Sequence, residues 1–229
     1  MNMLRMMILQ GAAALALGMA ALAATAAVPA LDEEGKTIFD GSGPEGWVNN
    51  NTLEPIPSSA VQEEGLNPHG IGAYVVLYNR KVKDFVLDFD YKLSPGCNSG
   101  VFLRVGDPKD PVMTGLEVAL DDTKGTGYHD PGAFYDLVRP DTNAQKPAGE
   151  WNHMTITARG PIVTVSINGT LVSRIDQSAF PEPGKRPDGS DHKFRDVAIA
   201  DLVQEGYFGF QDHGSDVWFK DIRLKELGD

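Results

Sequence analysis

The charge and cysteine content of this chain limit the classes of protein to which it can belong. Of 229 residues, 32 are acidic and 20 are Lys or Arg, so the formal net charge is −12. This charge repels nucleic acid and anionic lipid, and neither is expected as a partner. The single cysteine, Cys97, cannot form an internal disulfide, so the fold depends on packing, and we expect Cys97 itself to be buried.

The first 26 residues have the composition of a secretory leader. Arg5 precedes an apolar run rich in Ala and Leu, and the run ends at Ala24-Thr25-Ala26, a small-residue pattern typical of signal peptidase sites. A retained membrane anchor is the less favoured alternative, because no polar stop-transfer flank follows the run. We therefore predict a periplasmic or secreted protein in which residues 27–229 form one domain that does not insert into the membrane.

Alternating apolar and polar residues dominate the rest of the chain. In DFVLDFDYKL, residues 84–93, every second residue from Phe85 to Leu93 is apolar, which predicts a half-buried antiparallel strand. Asn168-Gly169 separates two alternating runs and predicts a tight β-hairpin. Many short strands separated by turn signals indicate an all-β fold of two packed antiparallel sheets, a β-sandwich or jelly roll. Further strands are predicted at 73–78, 100–105, 115–121, 153–158, 206–211 and 216–224.

The segment between the hairpin and the last two strands lacks this alternation. Residues 178–194 are rich in Pro, Gly and charge, which predicts a surface excursion, and only residues 195–204 could form even a short helix. His192 in the excursion and His69 in a Gly- and Pro-containing turn are expected to be exposed. Neither histidine is given a chemical role.

Three predicted strands each carry a row of polar residues on one face. The rows can be read from the sequence because side chains alternate between the two faces of a strand. Amides, carboxylates, a guanidinium and a histidine are typical of a ligand-binding face, although a solvated surface with ordinary ion pairs is the alternative. If the three rows lie on the same sheet face, they form a site. The rows are Asn98, Gly100, Phe102 and Arg104; Glu117, Ala119 and Asp121; and Tyr207, Gly209, Gln211 and His213.

The carboxylates of the second row do not suit a conventional glycosidase. Glu117 and Asp121 are four strand residues apart, or about 13 Å, whereas paired catalytic carboxylates are separated by about 5–9.5 Å. His213 stands at a strand end, where a histidine can titrate near neutral pH, which makes it a candidate general base. A histidine that is hydrogen-bonded within a turn is the alternative interpretation.

A series of short segments extends a recognisable pattern over the chain. The segments are NSGVFLR (98–104), GLEVALDD (115–122), GAFYDL (132–137), KPAGEWNHMTI (146–156), INGTLV (167–172) and GFQDHGSDVWFKDIRL (209–224). The opening TIFDGSGPEGW, residues 37–47, belongs to the same series. In their order and spacing these segments resemble the 3-keto-disaccharide hydrolase family. The resemblance implies a concanavalin A-like jelly roll that is exported and acts on glycosides whose C3 hydroxyl has been oxidised to a ketone.

The resemblance also implies a reaction that needs only one base. A ketone at C3 acidifies the proton on C2, so a base can remove this proton, and the C1 substituent then leaves by elimination. Addition of water to the product gives net hydrolysis. The enzyme needs a base, groups that stabilise the enolate oxygen and a proton donor for the leaving group. In this sequence the base is His213 or Glu117; alternatively, Glu117 and His213 hold a divalent cation.

The other roles implied by the resemblance fall on residues of the same segments. Tyr135 would protonate the leaving oxygen, while Asn98 and Arg104 would face the developing enolate. Ala119 stands where the family often has Gln, which alters the expected contacts with the substrate. The predicted substrate-binding residues are Asn98, Arg104, Asp121, Trp151 and Gln211.

Three other functions are compatible with a jelly-roll fold. The first is a carbohydrate-binding module without catalysis, because this fold serves lectins as readily as enzymes. The second is a conventional glycoside hydrolase, against which the carboxylate spacing argues. The third is a structural or adhesive envelope protein, for which the polar rows are unnecessary.

Overall fold

Two antiparallel sheets form the fold of residues 35–228, the part of the chain that the computed structural model describes. The predicted leader, residues 1–26, lies outside the described residues. Helical structure in the described part is confined to α1 (Pro111–Thr114) and 3-10 turns at Ser58–Ala60, Gln177–Ala179 and Ile199–Asp201. The strands are β1 (Lys36–Phe39), β2 (Trp47–Asn49), β3 (Val61–Gln62), β4 (Gly65–Leu66), β5 (Val75–Tyr78), β6 (Phe85–Leu93), β7 (Asn98–Val105), β8 (Leu116–Asp121), β9 (Asn152–Arg159), β10 (Ile162–Ile167), β11 (Thr170–Asp176), β12 (Tyr207–Gln211) and β13 (Val217–Glu226).

The strands are arranged as a sandwich of a larger and a smaller sheet. In the larger sheet the order is β11-β10-β9-β6-β13-β4-β3, and β1 pairs with β13. In the smaller sheet the order is β2-β5-β12-β7-β8. The strand pairs of both sheets are antiparallel. The prediction of an all-β jelly-roll sandwich is therefore confirmed.

The core lies between the two sheets and follows the predicted alternation. In β6 the five alternating apolar residues from Phe85 to Leu93 are all buried. Phe89 of β6 and Phe219 of β13 contact Phe210 of the smaller sheet, with ring centroids 5.3 and 3.9 Å from the Phe210 ring. Each fully buried Phe side chain contributes about 1.5–3 kcal/mol. These rings therefore help to hold the smaller sheet against the larger one.

The smaller sheet has a second face, directed away from the larger sheet, which we call the outer face. A separate cluster of buried apolar side chains lies on this face. The side chains of the cluster are small or medium in size apart from the ring of Phe102, whose neighbour in the β7–β8 register is Glu117. Polar groups of the outer face thus stand beside an apolar floor. The cluster consists of Val48, Val75, Leu77, Phe102 and Val105.

The predicted hairpin joins β10 to β11. Asn168 and Gly169 both have positive φ angles, 51° and 78°, as a two-residue turn of this type requires. The Asn168 side chain donates hydrogen bonds to the carbonyl of Ala144 and to Oδ1 of Asn152, each at 2.8 Å. The hairpin is therefore also connected to the loop that precedes β9.

The excursion after β11 differs from the prediction in one respect. The segment 195–204 contains a short 3-10 turn, Ile199–Asp201, in agreement with the expectation of at most a short helix. His192, expected to be exposed, is 3% exposed, and its ring lies between those of Phe180 and Phe194. Apolar side chains of the excursion, although irregularly spaced in the sequence, point into the interior, and the His192 ring is buried with them. Within residues 35–228, no helix combines the length and apolar character needed to span a membrane.

Candidate active site

A small polar cavity of about 140 Å³ opens on the outer face of the smaller sheet. Its walls come from four strands or strand ends and from two loops, so the cavity exists only in the folded chain. Five of the eight side chains predicted to form a site are among those that line it. The lining residues are Tyr74, Asn98, Glu117, Tyr135, Lys193, Gln211 and His213.

The strand register explains why residues distant in sequence meet here. The β7–β8 pairing sets Phe102 opposite Glu117 and Asn98 opposite Asp121. The β12–β7 pairing sets Gly209 opposite Phe102. Since side chains two residues apart share a face, Asn98, Glu117 and Gln211 all project to the outer face. The three predicted polar rows therefore do adjoin one another over this part of the sheet.

Gly100 provides the space that the Glu117 side chain occupies. A Cβ atom at Gly100 would lie 2.8 Å from Oε1 of Glu117 and 2.9 Å from its Cγ. These contacts are shorter than van der Waals distance, so a larger residue at position 100 would displace the carboxylate. Gly100 therefore permits the position that Glu117 takes in the cavity.

The environment of Glu117 favours a neutral carboxyl group. Burial raises the pKa of Glu117 to about 7, and the ammonium group of Lys193 opposes this effect. Within the described part of the chain, no hydrogen bond to its carboxylate is present that would favour the charged form. A carboxyl group that titrates near neutrality is suited to general acid–base chemistry.

Gln211 is held at the floor of the cavity with one acceptor unused. Its side-chain amide donates to the hydroxyl of Tyr74 at 2.6 Å, and its backbone carbonyl accepts from the Ser99 hydroxyl at 2.8 Å. Oε1 of Gln211 is buried and has no hydrogen-bond partner within residues 35–228. An unpaired buried acceptor of this kind can bind a hydroxyl group of a ligand.

Lys193 and Tyr135 line the cavity from two loops, and the Tyr135 loop runs along β8, where the Tyr135 N–H donates to the Glu117 carbonyl at 2.9 Å. Nζ of Lys193 lies 3.8 Å from the centre of the Tyr135 ring, and this ring stacks on His129 with centroids 4.4 Å apart. Burial lowers the pKa of Lys193, while the carboxylates of Glu117 and Asp136 oppose that change. Burial also raises the pKa of the Tyr135 phenol, and the same two carboxylates add to the effect. The phenol is therefore protonated at neutral pH.

Tyr74 and Lys193 are the cavity residues that sequence reasoning missed. Tyr74 directly precedes β5 and belongs to none of the three polar rows. Lys193 lies at the end of the excursion, where no periodic pattern indicates the direction of a side chain. The only signal available for Lys193 is a charged residue in an irregular segment, which by itself indicates a surface position.

His213 lies at the mouth of the cavity and its residue is exposed. The neighbouring Asp212 has a structural role. Its carboxylate is 3.0 Å from Nδ1 of His69 and accepts hydrogen bonds from the backbone N–H groups of Gly70 and Gly214. Asp212 thus holds two turns together and places His213 at the rim. Of the two predicted bases, Glu117 is the more enclosed.

Arg104 does not face the cavity, contrary to its predicted role toward the substrate. Its φ angle is 52°, and β7 carries one extra residue here relative to β12, a β-bulge that reverses the alternation. The side chain is 1% exposed, and its guanidinium donates to the Gly160 carbonyl and to Gln177 Oε1, both at 2.7 Å. Arg104 also contacts Asp84 at 3.3 Å. It therefore joins separate chain segments in the interior.

We expect Arg104→Met to reduce stability without changing the site. Removing the guanidinium leaves the buried Gln177 amide oxygen and the Gly160 carbonyl without their donor, which costs about 3–5 kcal/mol for a broken buried charged contact. Urea unfolding measures the loss. The folded variant should bind and turn over substrate as the unchanged protein does; a loss of kcat in fully folded Arg104→Met would contradict the structural role.

Asp121 and Trp151, two further predicted substrate contacts, lie outside the cavity. Asp121 is adjacent, because Asn98 donates to its carboxylate at 3.4 Å, but it does not line the wall. Trp151 precedes β9 of the larger sheet, where Nζ of Lys92 and Nζ of Lys220 lie 5.2 and 4.3 Å from its ring. Trp151 therefore does not share the cavity with the other predicted residues, and its ring contacts lysines of the larger sheet instead.

The cavity does not fit the predicted alternative of a divalent cation held by Glu117 and His213. No group of three or more His, Cys, Asp or Glu side chains that could hold a metal ion occurs within residues 35–228. Protein zinc and calcium sites use more ligands than two side chains supply. In addition, the ammonium group of Lys193 lines the same cavity. We therefore derive no step through a metal ion.

Cys97 is buried, as predicted, next to the start of β7. Burial raises the pKa of its thiol to about 12. The thiol is therefore protonated at neutral pH and is a packing group, not a nucleophile.

Comparison with known proteins places this β-sandwich in a family. The fold and the polar cavity define a jelly-roll protein with a candidate active site on the outer face of its smaller sheet. Residues 34–225 match the family described as the 3-keto-alpha-glucoside-1,2-lyase-like domain, and the chain belongs to this family. The resemblance identified from the sequence segments is thus confirmed.

Individual relatives agree with this assignment. The chain is 26% identical over 238 aligned residues to a 3-keto-disaccharide hydrolase of Bacteroides thetaiotaomicron, covering 83% of this chain and 78% of that protein. A crystal structure from Parabacteroides distasonis ATCC 8503, assigned as a glycosyl hydrolase, has a TM-score of 0.73 and 29% identity, covering 85% of this chain and 100% of that one. The carbohydrate-binding module CBM66 from Bacillus subtilis, at 13% identity and a TM-score of 0.51, shares the fold over 83% of this chain and 99% of its own.

Proposed function

We propose that this protein cleaves 3-keto-glycosides by abstraction of the C2 proton followed by elimination of the C1 substituent, with hydration giving net hydrolysis. The observation that carries the proposal is Glu117, a carboxyl group whose pKa burial raises to about 7 and which shares its cavity with the ammonium group of Lys193. The base and the cation that such a reaction needs therefore line the same cavity and interact electrostatically. The family and the curated relative support the substrate class.

Glu117 is the base in this proposal, in preference to His213. Proton abstraction from carbon requires a base that is close to neutral pKa and shielded from water, and Glu117 is more enclosed than the exposed His213. The ionised carboxylate takes the proton from C2, and the electron pair of the C–H bond moves toward the C3 carbonyl. Charge then develops on the C3 oxygen, which becomes an enolate.

Lys193 and Asn98 stabilise the enolate oxygen. The Lys193 ammonium is a positive charge in a partly buried site, where electrostatic stabilisation is stronger than in water. The Asn98 amide lines the same cavity and can donate a hydrogen bond. Arg104, predicted for this role, lies in the interior, and Lys193 supplies the positive charge in its place.

The elimination then proceeds from the enolate. Its electron pair forms a double bond between C1 and C2, the bond from C1 to the leaving oxygen breaks, and the Tyr135 phenol donates a proton to that oxygen. The products are an alcohol and an unsaturated 3-keto sugar. Water that adds at C1, with return of a proton to C2, converts the sugar to the free 3-keto form. The unpaired Oε1 of Gln211 binds a sugar hydroxyl throughout.

The composition of the cavity distinguishes this reaction from ordinary glycoside hydrolysis. Retaining and inverting glycosidases use two carboxyl groups that flank the glycosidic bond, about 5–9.5 Å apart. Glu117 is the one carboxylate among the described residues that line the cavity, and Asp121 lies beside it but outside the wall. A single base with a cation suits elimination next to a ketone. Export to the periplasm or the medium belongs to the proposal through the predicted leader, residues 1–26.

Hydrogen exchange at C2 tests the proposal directly. In deuterated water, a 3-keto-glucoside incubated with the protein should yield a free 3-keto sugar that carries deuterium at C2, observed by NMR. The matching unoxidised glucoside should not be cleaved, because its C2 proton is not acidic. Sugar binding without exchange or cleavage would instead indicate a carbohydrate-binding module. Cleavage of the unoxidised glucoside would indicate a conventional hydrolase.

A further inference from the structure

Asp136, which follows Tyr135 in the chain, connects the two loops that form one wall of the cavity. One carboxylate oxygen, Oδ1, accepts from Nη2 of Arg186 at 2.8 Å, and the other, Oδ2, accepts from the backbone N–H of Lys193 at 2.6 Å. Arg186 Nη2 also donates to the backbone carbonyl of Asp136 at 2.7 Å. Both ends of the excursion segment from Arg186 to Lys193 are thus bound to one aspartate.

The backbone at Asp136 is adapted to this contact. Its φ angle is 56°, in the left-handed region that non-glycine residues rarely occupy, although Asp and Asn do so more readily than others. The Asp136 N–H donates to the carbonyl of Tyr128 at 3.0 Å, which closes the loop that contains Tyr135. This conformation directs the carboxylate of Asp136 toward the excursion and leaves the Tyr135 ring against the Lys193 side chain.

We propose that Asp136 is a positioning residue that holds Lys193 in the cavity, so that the ammonium group faces Glu117 and the substrate. The catalytic role of Lys193 in this proposal rests on the proposed function. The contact between Asp136 and the Lys193 backbone does not depend on that function. Without Asp136, the excursion would have no bond between the backbone of residue 193 and the Tyr135 loop. Nζ of Lys193 lies at the end of a flexible side chain. It can be held close to a reacting atom only if the backbone of Lys193 is fixed.

Charge as well as geometry links Asp136 to the site. The carboxylate of Asp136 favours the protonated form of Lys193, against the burial that lowers the pKa of this side chain. Lys193 in turn lowers the pKa of Glu117 against its burial. The ionisable groups that face Glu117 across the cavity are Lys193, Tyr74, Tyr135 and His213. Displacement of Lys193 therefore alters the titration of Glu117 even when no substrate is present.

The test is Asp136→Asn, with Asp188→Asn as its matched control. Asn accepts the left-handed backbone, but it replaces one carboxylate oxygen by an NH2 group that cannot accept. Because Arg186 and the Lys193 N–H donate to different oxygens of Asp136, one of the two contacts is lost in this geometry. We expect kcat on a 3-keto-glucoside to fall about 10- to 100-fold. We also expect the pKa of Glu117 to increase, as measured from the NMR signal of its carboxyl carbon in labelled protein. Asp188 lies on the same excursion and caps Ser190, so its replacement removes the same charge nearby without these effects.

A double-mutant cycle separates positioning from a general structural role. In a Lys193→Met background, Asp136→Asn should cause no further loss of kcat, because the residue that it positions is already absent. Independent, multiplying losses would overturn the proposal, as would an unchanged Glu117 titration in Asp136→Asn. Arg186→Met serves as a second variant if Asp136→Asn does not fold. Since the Glu117 titration is measured without substrate, it tests the positioning role even if the proposed reaction proves wrong.

Discussion

Replacement of Glu117 by Gln is expected to lower kcat on a 3-keto-glucoside by about 10²–10⁴-fold, the range that general acid–base catalysis contributes. Gln has nearly the same shape but cannot accept a proton from carbon. Incorporation of deuterium at C2 should disappear together with cleavage. The equivalent substitution at Asp121, Asp121→Asn, is the matched control, because this carboxylate lies next to the cavity but does not line it. Equal losses in the two variants would contradict the assignment of Glu117 as the base.

The pH dependence of activity follows from the same residue. A base must be ionised, and burial raises the pKa of Glu117 to about 7. The value of kcat/KM should therefore rise with pH and level off above the pKa of Glu117 in the free enzyme. If His213, at the exposed rim, were the base, His213→Ala would remove this rise, whereas the rise should persist in that variant if Glu117 is the base.

Stability should change with pH in the opposite sense to activity. In the unfolded chain Glu117 titrates near 4.5, whereas burial raises its pKa in the folded protein to about 7. Its ionisation therefore costs no stability below pH 4.5, and the cost grows between these values and is complete above pH 7. Glu117→Gln removes this cost. We expect the variant to be more stable than the unchanged protein at pH 8, by at most about 3 kcal/mol, and nearly equal at pH 4.

Gly100→Ala tests the position of the Glu117 carboxylate without removing it. The added Cβ would lie 2.8 Å from Oε1 and 2.9 Å from Cγ of Glu117, and both atoms belong to a flexible side chain that can change its rotamer. The variant should therefore fold, as judged by circular dichroism, while the displaced base lowers kcat by about 10²-fold. Unchanged kcat would show that the observed carboxylate position is not the reactive one.

Lys193→Met is expected to reduce kcat by about 10²–10³-fold, the usual result of removing one group that stabilises a developing oxyanion. Met retains most of the aliphatic length of Lys and its contact with the Tyr135 ring, so the loss reports the missing charge. Because Lys193 opposes the effect of burial on Glu117, the pKa of Glu117 should also increase in the variant. The rise of kcat/KM with pH should move to higher pH accordingly.

A second lysine of the excursion provides the control for Lys193. Lys185 forms an exposed ion pair with Asp191 at 2.5 Å and does not line the cavity. Lys185→Met should leave kcat within about twofold, as surface ion pairs contribute at most about 1 kcal/mol to stability. An unchanged kcat in Lys193→Met would mean that the enolate oxygen is stabilised by other groups, and the proposed role of Lys193 would be withdrawn.

Most of the site residues that could be predicted from the sequence were identified from the alternation of side chains between the two faces of a strand. The alternation assigns Asn98, Glu117 and Gln211 each to the polar row of its own strand, and the observed registers bring the three rows to one face. Parity is reliable here because a strand must direct successive side chains to opposite faces. The same argument fails at Arg104, where one extra residue in β7 reverses the alternation. No local feature of NSGVFLRV distinguishes this bulge from a regular strand.

The loop residues of the site could not be predicted in the same way. Lys193 reaches the cavity because the excursion folds back onto Asp136. The Lys193 N–H and the Arg186 guanidinium both donate to this carboxylate, across 57 and 50 residues of chain. Trp151, by contrast, lies in a segment typical of the family but on the larger sheet, with Lys92 and Lys220 at its ring. In both cases long-range contacts decide the position, and these depend on the whole packed structure.

The sequence by itself determined the all-β class, the strand faces, the hairpin at Asn168-Gly169 and the family, because each of these depends on short periodic patterns or on the order of local segments. Only the tertiary structure decided which predicted side chains share a cavity. It placed Glu117 in a pocket where burial raises its pKa to about 7, brought Lys193 into the same cavity and turned Arg104 into the interior. The physical reason is that burial and the distance between charges are properties of packed neighbours, which lie far apart along the chain.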